Sequence, residues 1–230
     1  QMHEGEQSTL LGLKGIPPLS ELLAVQRDLT LLEYARGTLH LSCISTKESV
    51  EAIRNAKAKG LNVTASIAAH QLSFLDTDLA EFDTYLKVQP PFRTEEHKEA
   101  LLAGLLDGTI DAVETDHTPL DTESKYLEFD LATPGIAGLQ TAYPALLTAT
   151  DISVEQTAQL FSYGPRAIAQ LPVYEIEAGE MADLTFFHPE INTLVNTDMW
   201  SSLSNNSPFF NQKLKGAVLA VYHKGQLHMC

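Results

Sequence analysis

The 230-residue chain carries 15 Lys and Arg against 30 Asp and Glu, a formal charge of −15, with 44% hydrophobic and 20% charged residues. That balance belongs to a folded protein and not to a disordered one, and the acidic surplus argues against a nucleic-acid partner. No apolar run approaches the roughly 18 residues that span a bilayer, so no membrane partner is expected.

The two cysteines, Cys43 and Cys230, are too few for a disulfide framework, which predicts a reducing, cytoplasmic setting. The opening Gln1-Met2-His3 lacks a basic-then-apolar signal segment. In chain order, the first predicted element is a helix over 19–36, with Pro17 and Pro18 ahead of it and Gly37 as its stop. Leu22, Val25, Leu29 and Leu32 mark its buried face. An apolar run over 38–43 predicts a strand, and Ser45-Thr46-Lys47-Glu48 reads as a capping box that opens a helix closing at Gly60. A second strand over 61–67 completes a βαβ unit.

Residues 79–85 are weakly helical, and 87–91 are extended or turning because proline restricts its predecessor. A helix over 94–107 buries Leu101, Leu102, Leu105 and Leu106 and ends at Gly108; a strand over 109–115 follows and delivers Asp116 at its C-terminal end. Helices are expected near 138–149, 154–162 and 165–170, the second opened by a capping box at Ser153 and Gln156. From Leu171 the pattern becomes short strands over 173–177, 183–187 and 214–223 around a polar loop over 196–212. The expected division is therefore 1–171 for the β/α part and 172–230 for a small β domain. Strand alternating with helix implies a parallel sheet, and a barrel of eight such units needs about 250 residues. Residues 1–170 supply only three strand-helix steps, so the chain reads as the C-terminal part of a barrel.

The strongest local signal is Glu114-Thr115-Asp116-His117-Thr118-Pro119. A carboxylate leaving a parallel strand points into the mouth where barrel active sites sit, and can bind a metal or act as a general base. The structural alternative is an Asp that forms a turn before a proline loop. Cys43 stands in the corresponding place on an earlier strand and could serve as a soft metal ligand or as plain core. His40, three residues away, should point elsewhere by strand parity, whereas His70 could face the same mouth. No self-sufficient metal motif of the HxH, HExxH or CxxC kind occurs.

Several strings, in one order over nearly the whole chain, resemble dihydroorotase of the bacterial class I type. They are HEGE from His3, GIP from Gly15, HLSCISTKESV from His40, VQPPFRTEE from Val88, DGTIDAVETDHTP from Asp107, TPGIAGLQT from Thr133, SNNSPF from Ser204 and LKG from Leu214. The resemblance implies an amidohydrolase-superfamily (β/α)8 TIM-type barrel, only its C-terminal part present, with a small β-sandwich domain. It implies zinc at the strand C-termini and interconversion of N-carbamoyl-L-aspartate and L-dihydroorotate in pyrimidine biosynthesis.

By the same resemblance, Asp116 is the proton-shuttling carboxylate and a metal ligand, and Cys43 stands where the family has a zinc-binding His. Gln89 replaces a substrate-binding Asn, Leu120 replaces a substrate-binding His, and Pro134 and Gly135 line the substrate. Gln140 replaces a Glu. A thiolate would make zinc a weaker Lewis acid, and Leu120 cannot hydrogen-bond a carboxylate. These departures raise a second implication, a degenerate homologue acting as a structural partner of aspartate transcarbamoylase. A homodimer and a hydantoinase- or allantoinase-type activity are the remaining alternatives.

Overall fold

The computed structural model describes residues 1–173 and 176–230. A short parallel pair, β1 (Met2–His3) and β2 (Gly15–Ile16), brackets α1 (Glu6–Leu10). Then comes α2 (Pro18–Ala35), which has Pro in its first turn and buries Val25, Leu29 and Leu32. Its stop is Arg36, left-handed at φ 54°, and not Gly37.

The strands β3 (Leu39–Leu41), β4 (Val63–Ala68) and β5 (Ala112–Glu114) form one all-parallel sheet in that order, with Leu39 opposite Val63 and Ser66 opposite Ala112. The crossover helices are α3 (Lys47–Ala58) and α4 (Glu95–Leu106). Thr46, not Ser45, caps α3, accepting from the Ser49 N–H at 3.3 Å, because Ser45 is held by Glu21. On α4 the buried stripe is His97, Leu101, Gly104 and Leu105; Leu106, expected inside, turns to solvent and is 55% exposed.

The main core joins Val63, Ala65 and Ile67 of β4 to Val50 and Ile53 of α3, Leu101 of α4 and Leu146. The alternate β4 residues Thr64 and Ser66 take up polar partners on the opposite face, so period-two patterning separates core from site. Between β4 and α4 the weak helix expected over 79–85 resolves into the 3₁₀ turns Asp76–Glu81 and Thr84–Leu86, and a further one forms at Ala69–Leu72.

After β5 come α5 (Thr122–Lys125), α6 (Ala142–Ala149), α7 (Val154–Ala158) and α8 (Gly164–Ile168), with a π turn at Gln159–Tyr163 joining the last two. The expected capping box is present: the Gln156 N–H donates to Ser153 Oγ at 3.2 Å, and the Ser153 N–H to Gln156 Oε1 at 2.9 Å. The C-terminal part is one antiparallel sheet, β6 (Leu184–Leu194), β7 (Lys213–His223) and β8 (Gln226–Met229), in that order. The strand expected over 173–177 falls in part on Tyr174 and Glu175, which lie outside the described residues.

One expectation is corrected: among the described residues no second sheet covers β6–β8, so no β-sandwich forms. The three-stranded parallel sheet stays open, as three strand-helix steps imply. One layer against that region is helical instead: Ala145 of α6 packs with Val195, Phe209 and Leu214.

Gly164 lets α8 approach the backbone of residue 111 closely. A Cβ there would lie 2.0 Å from the Asp111 carbonyl oxygen and 2.9 Å from that of Gln159. Asp111 cannot retreat, because its carboxylate bonds Lys57 at 2.7 Å and the Ala65 N–H at 2.8 Å. Gly164→Ala is expected to lower the unfolding free energy by about 2 kcal/mol through overpacking, read as a shift in the urea midpoint. An unchanged midpoint would contradict this packing.

Candidate active site

The C-terminal edge of the parallel sheet gathers Ser42, Cys43, Ser66, His70, Glu114 and Asp116. Glu114 is its hub. Its carboxylate accepts from Ser42 Oγ at 2.9 Å, the Cys43 N–H at 2.9 Å and Ser66 Oγ at 2.5 Å, tying three strand ends together. Because the Ser66 hydroxyl proton goes to Glu114, the His40 Nε2–H must donate to Ser66 Oγ at 2.9 Å. On the other side of the ring, His40 Nδ1 pairs with Thr64 Oγ1 at 2.9 Å. His40 and Cys43 thus meet in one network, against strand parity, because β3 ends at Leu41 and Cys43 turns left-handed at φ 53°.

Burial would push Glu114 up, but hydrogen bonds from Ser66, Cys43 and Ser42 outweigh it and hold the group below the usual carboxylate range. Asp116 has no such support: burial, reinforced by the Glu114 charge, raises it to about 6. Cys43 is raised to about 12 by burial and by the Glu114 and Asp116 charges, so it stays a neutral thiol. His70 comes to the mouth as its position in the sequence implied. It is 2% exposed, its Nε2 has no hydrogen-bond partner among the described residues, and that atom lies 3.8 Å from Asp116 Oδ2. Burial lowers His70 to about 4.

His3, also buried, is lowered to about 4 by burial and then by Arg93 and His97. Both imidazoles therefore bind protons more weakly folded than unfolded, so their contribution is full above pH 6.5 and is lost as pH falls towards 4. Asp116 acts oppositely, its folded value of about 6 lying above its ordinary 3.8. Two groups outweigh one, and Tm is expected to fall between pH 7 and pH 5, more steeply in Asp116→Asn. A flat profile in both proteins would contradict the burial of these histidines.

A second patch lies beside this edge. Leu120 is half-buried, and its Cδ1 would lie 3.3 Å from a Cβ at Gly135, so these two residues are neighbours. Gly135 is left-handed at φ 143°, and its added Cβ would sit 2.6 Å from Thr118 Cγ2, a contact that excludes any side chain. The Gly135 N–H donates to the Lys87 carbonyl at 2.8 Å, bringing this loop to the segment that carries Gln89. Gln89 and Pro134 are exposed. Pro90 is fastened through its carbonyl to Gln71 Nε2 at 2.8 Å, next to His70. Gln140 is structural: its amide donates to the Met199 carbonyl and accepts from the Ser201 N–H at 2.8 Å, a pairing that a carboxylate could not complete.

Several residues escaped the sequence reading. Glu114 lies inside the strongest motif, but nothing in that string marks it as the hub of the strand ends. The half-buried Glu21 and the buried Arg93 fix the loop after Cys43: Glu21 accepts from Ser45 Oγ at 2.5 Å and from the Thr46 N–H at 3.0 Å, and Arg93 Nε donates to Ser45 Oγ at 3.1 Å. Lys125, 2% exposed, donates to the Thr84 and Lys87 carbonyls at 2.9 and 3.3 Å and anchors the far side of the second patch. The SNNSPF string held the signal for Asn206, which is buried in the same loops.

No family model matches the chain. It is 39% identical over 229 residues to a dihydroorotase of Syntrophotalea carbinolica, covering 98% of this chain and 54% of that protein. A dihydroorotase of Carboxydothermus hydrogenoformans is 40% identical over 227 residues, covering 96% of this chain and 53% of that one. The chain thus spans about half the length of the curated relatives it matches. Among solved structures, the L-hydantoinase (dihydropyrimidinase) of Arthrobacter aurescens superposes with a TM-score of 0.81 at 26% identity, covering 92% of this chain and 49% of that one. An inactive dihydroorotase-like domain of a Chaetomium thermophilum CAD-like multifunctional protein shares the fold, with a TM-score of 0.64 at 23% identity over 86% of this chain and 53% of that one.

Proposed function

Because the chain is homologous over nearly its whole length to dihydroorotases, we propose that it supplies the C-terminal part of a dihydroorotase-like cyclic amidohydrolase. In this reading the open parallel sheet is part of an amidohydrolase TIM-type barrel, residues 1–171 carry it, and residues 172–230 are the adjoining β domain. The reaction is interconversion of L-dihydroorotate and N-carbamoyl-L-aspartate in the cytoplasmic synthesis of pyrimidines.

The observation that carries the reading is Asp116, a half-buried carboxyl at a strand C-terminus raised to about 6. Such a group exchanges protons near neutral pH. In ring opening, water attacks the ring carbonyl carbon and passes a proton to the Asp116 carboxylate. The C–N bond breaks, and the proton goes from Asp116 to the leaving nitrogen. In ring closure the same proton travels back. Leu120, Pro134 and Gly135 form a wall for the substrate, with Leu120 contributing apolar contact only. Gln89 supplies an exposed amide at its edge.

Zinc, implied by the resemblance, has Asp116 and Cys43 as its candidate ligands here, and these residues do not make a site by themselves. Among the described residues no group of three or more His, Cys, Asp or Glu is placed to hold a metal ion. Burial and the Glu114 and Asp116 charges push the Cys43 thiol up, which opposes the thiolate that a metal would need.

The test is a substrate panel on the full-length protein: L-dihydroorotate, dihydrouracil and hydantoin, compared by kcat/KM. Preference for L-dihydroorotate supports the reading. Preference for either of the others moves the protein to another cyclic amidohydrolase, and turnover of none removes the enzyme assignment.

A further inference from the structure

We propose that Asn206 is a positioning residue that sets the substrate wall from the C-terminal section of the chain. The inference rests on the cyclic-amidohydrolase reading above. Asn206 is 1% exposed and lies in a polar loop far along the chain from the wall. Its Nδ2 donates to the carbonyls of Thr118 at 3.0 Å and Gly135 at 3.1 Å. Its Oδ1 accepts from the Leu120 N–H at 3.0 Å and from Ser204 Oγ at 2.5 Å. Its own carbonyl accepts from the Ala137 N–H at 3.0 Å. Both amide donors and the amide oxygen are thus used.

The contacts alternate between two backbone stretches, 118–120 and 135–137. These stretches also touch each other, since the Thr118 N–H donates to the Ile136 carbonyl at 2.8 Å and no side chain fits at Gly135. Asn206 therefore fixes the relative height of Leu120 and Gly135, two residues of the proposed wall. Ser204 braces it: its hydroxyl contacts Asn206 Oδ1 and both the N–H and the carbonyl of Leu120. Only an amide meets this demand. An aspartate of the same shape would turn a carboxylate oxygen onto two carbonyl oxygens.

The Asn206 side chain bonds Thr118, Leu120, Gly135 and Ser204 and not Asp116, so its effect belongs to substrate binding more than to proton transfer. On the full-length protein with L-dihydroorotate, Asn206→Ala and Asn206→Asp are expected to raise KM about tenfold while kcat changes less than threefold. The isosteric variant adds a signature that a packing role would not move. Below neutral pH, protonation of the new carboxyl restores one donor, so the KM defect of Asn206→Asp shrinks on acidification while that of Asn206→Ala does not. Where either variant fails to fold, Ser204→Ala removes only the brace and is expected to raise KM about threefold. Wild-type turnover with KM within twofold of normal in all folded variants would overturn the role of Asn206 and leave the enzyme assignment standing. A wild-type protein that turns over no cyclic amide overturns both.

Discussion

Asp116→Asn is expected to lower kcat for ring opening and for ring closure by about a thousandfold each, with KM little changed. The reason is local. In the proposed reaction the Asp116 carboxylate carries the proton between water and ring nitrogen in both directions; an amide cannot take it, so both rates fall together. Stability should not fall with them. The native carboxyl is raised to about 6 by burial and by the nearby Glu114 charge, so the ionised form is a cost to the fold at neutral pH. Asn removes that cost and tolerates the left-handed backbone at φ 43°. The expected pair of results is lost turnover with an equal or higher Tm at pH 7.5. Lost turnover with a Tm drop of many degrees would mean a structural role instead.

Arg93→Met is expected to cost about 3 kcal/mol of unfolding free energy, because removing the buried guanidinium strands the half-buried Glu21 carboxylate and the Ile16 carbonyl. The Arg93 side chain is 3% exposed, and its Nη2 lies 3.9 Å from Glu21. Its Nη1 donates to the Ile16 carbonyl at 2.8 Å and lies 3.2 Å from His3 Nδ1. The loss sits at the low end of the buried-pair range because Glu21 keeps donors from Ser45 and Thr46. Neutralising the partner as well, in Arg93→Met with Glu21→Gln, should lose less than the two single costs added together. Urea midpoints of the four proteins close this cycle. Strict additivity would show that the pair is not coupled.

The β/α rhythm was legible because its periods are local. The Val25, Leu29 and Leu32 stripe of α2 and the Ser153–Gln156 box each involve neighbours within one or two turns. Asp116 was legible for the same reason, standing one strand length after a helix stop at Gly108. What stayed hidden is non-local. Glu114 meets Ser42 and Ser66 across 72 and 48 residues, and nothing in its own string marks the partners. Glu21 sits on a helix face that reads as solvated until Ser45 and Thr46 are brought to it. Asn206 was lost inside a loop whose polarity looked like exposure. The hairpin into β8 is turned by Lys224 and Gly225, both left-handed at φ 49° and 82°, and Lys-Gly is not one of the usual Asn-Gly or Asp-Gly signals. The expected sandwich failed for a different reason. The alternation over 183–187 and 214–223 specifies strands with two faces but not what covers each face, and α6 covers one of them.

The central claim is that this fold carries the proton-handling half of a cyclic-amide hydrolase, and ring opening of L-dihydroorotate by the full-length protein tests it most directly. The account predicts turnover in the wild type that disappears in Asp116→Asn at unchanged thermal stability. A folded wild-type protein without turnover, or an Asp116→Asn variant that retains it, would contradict the account.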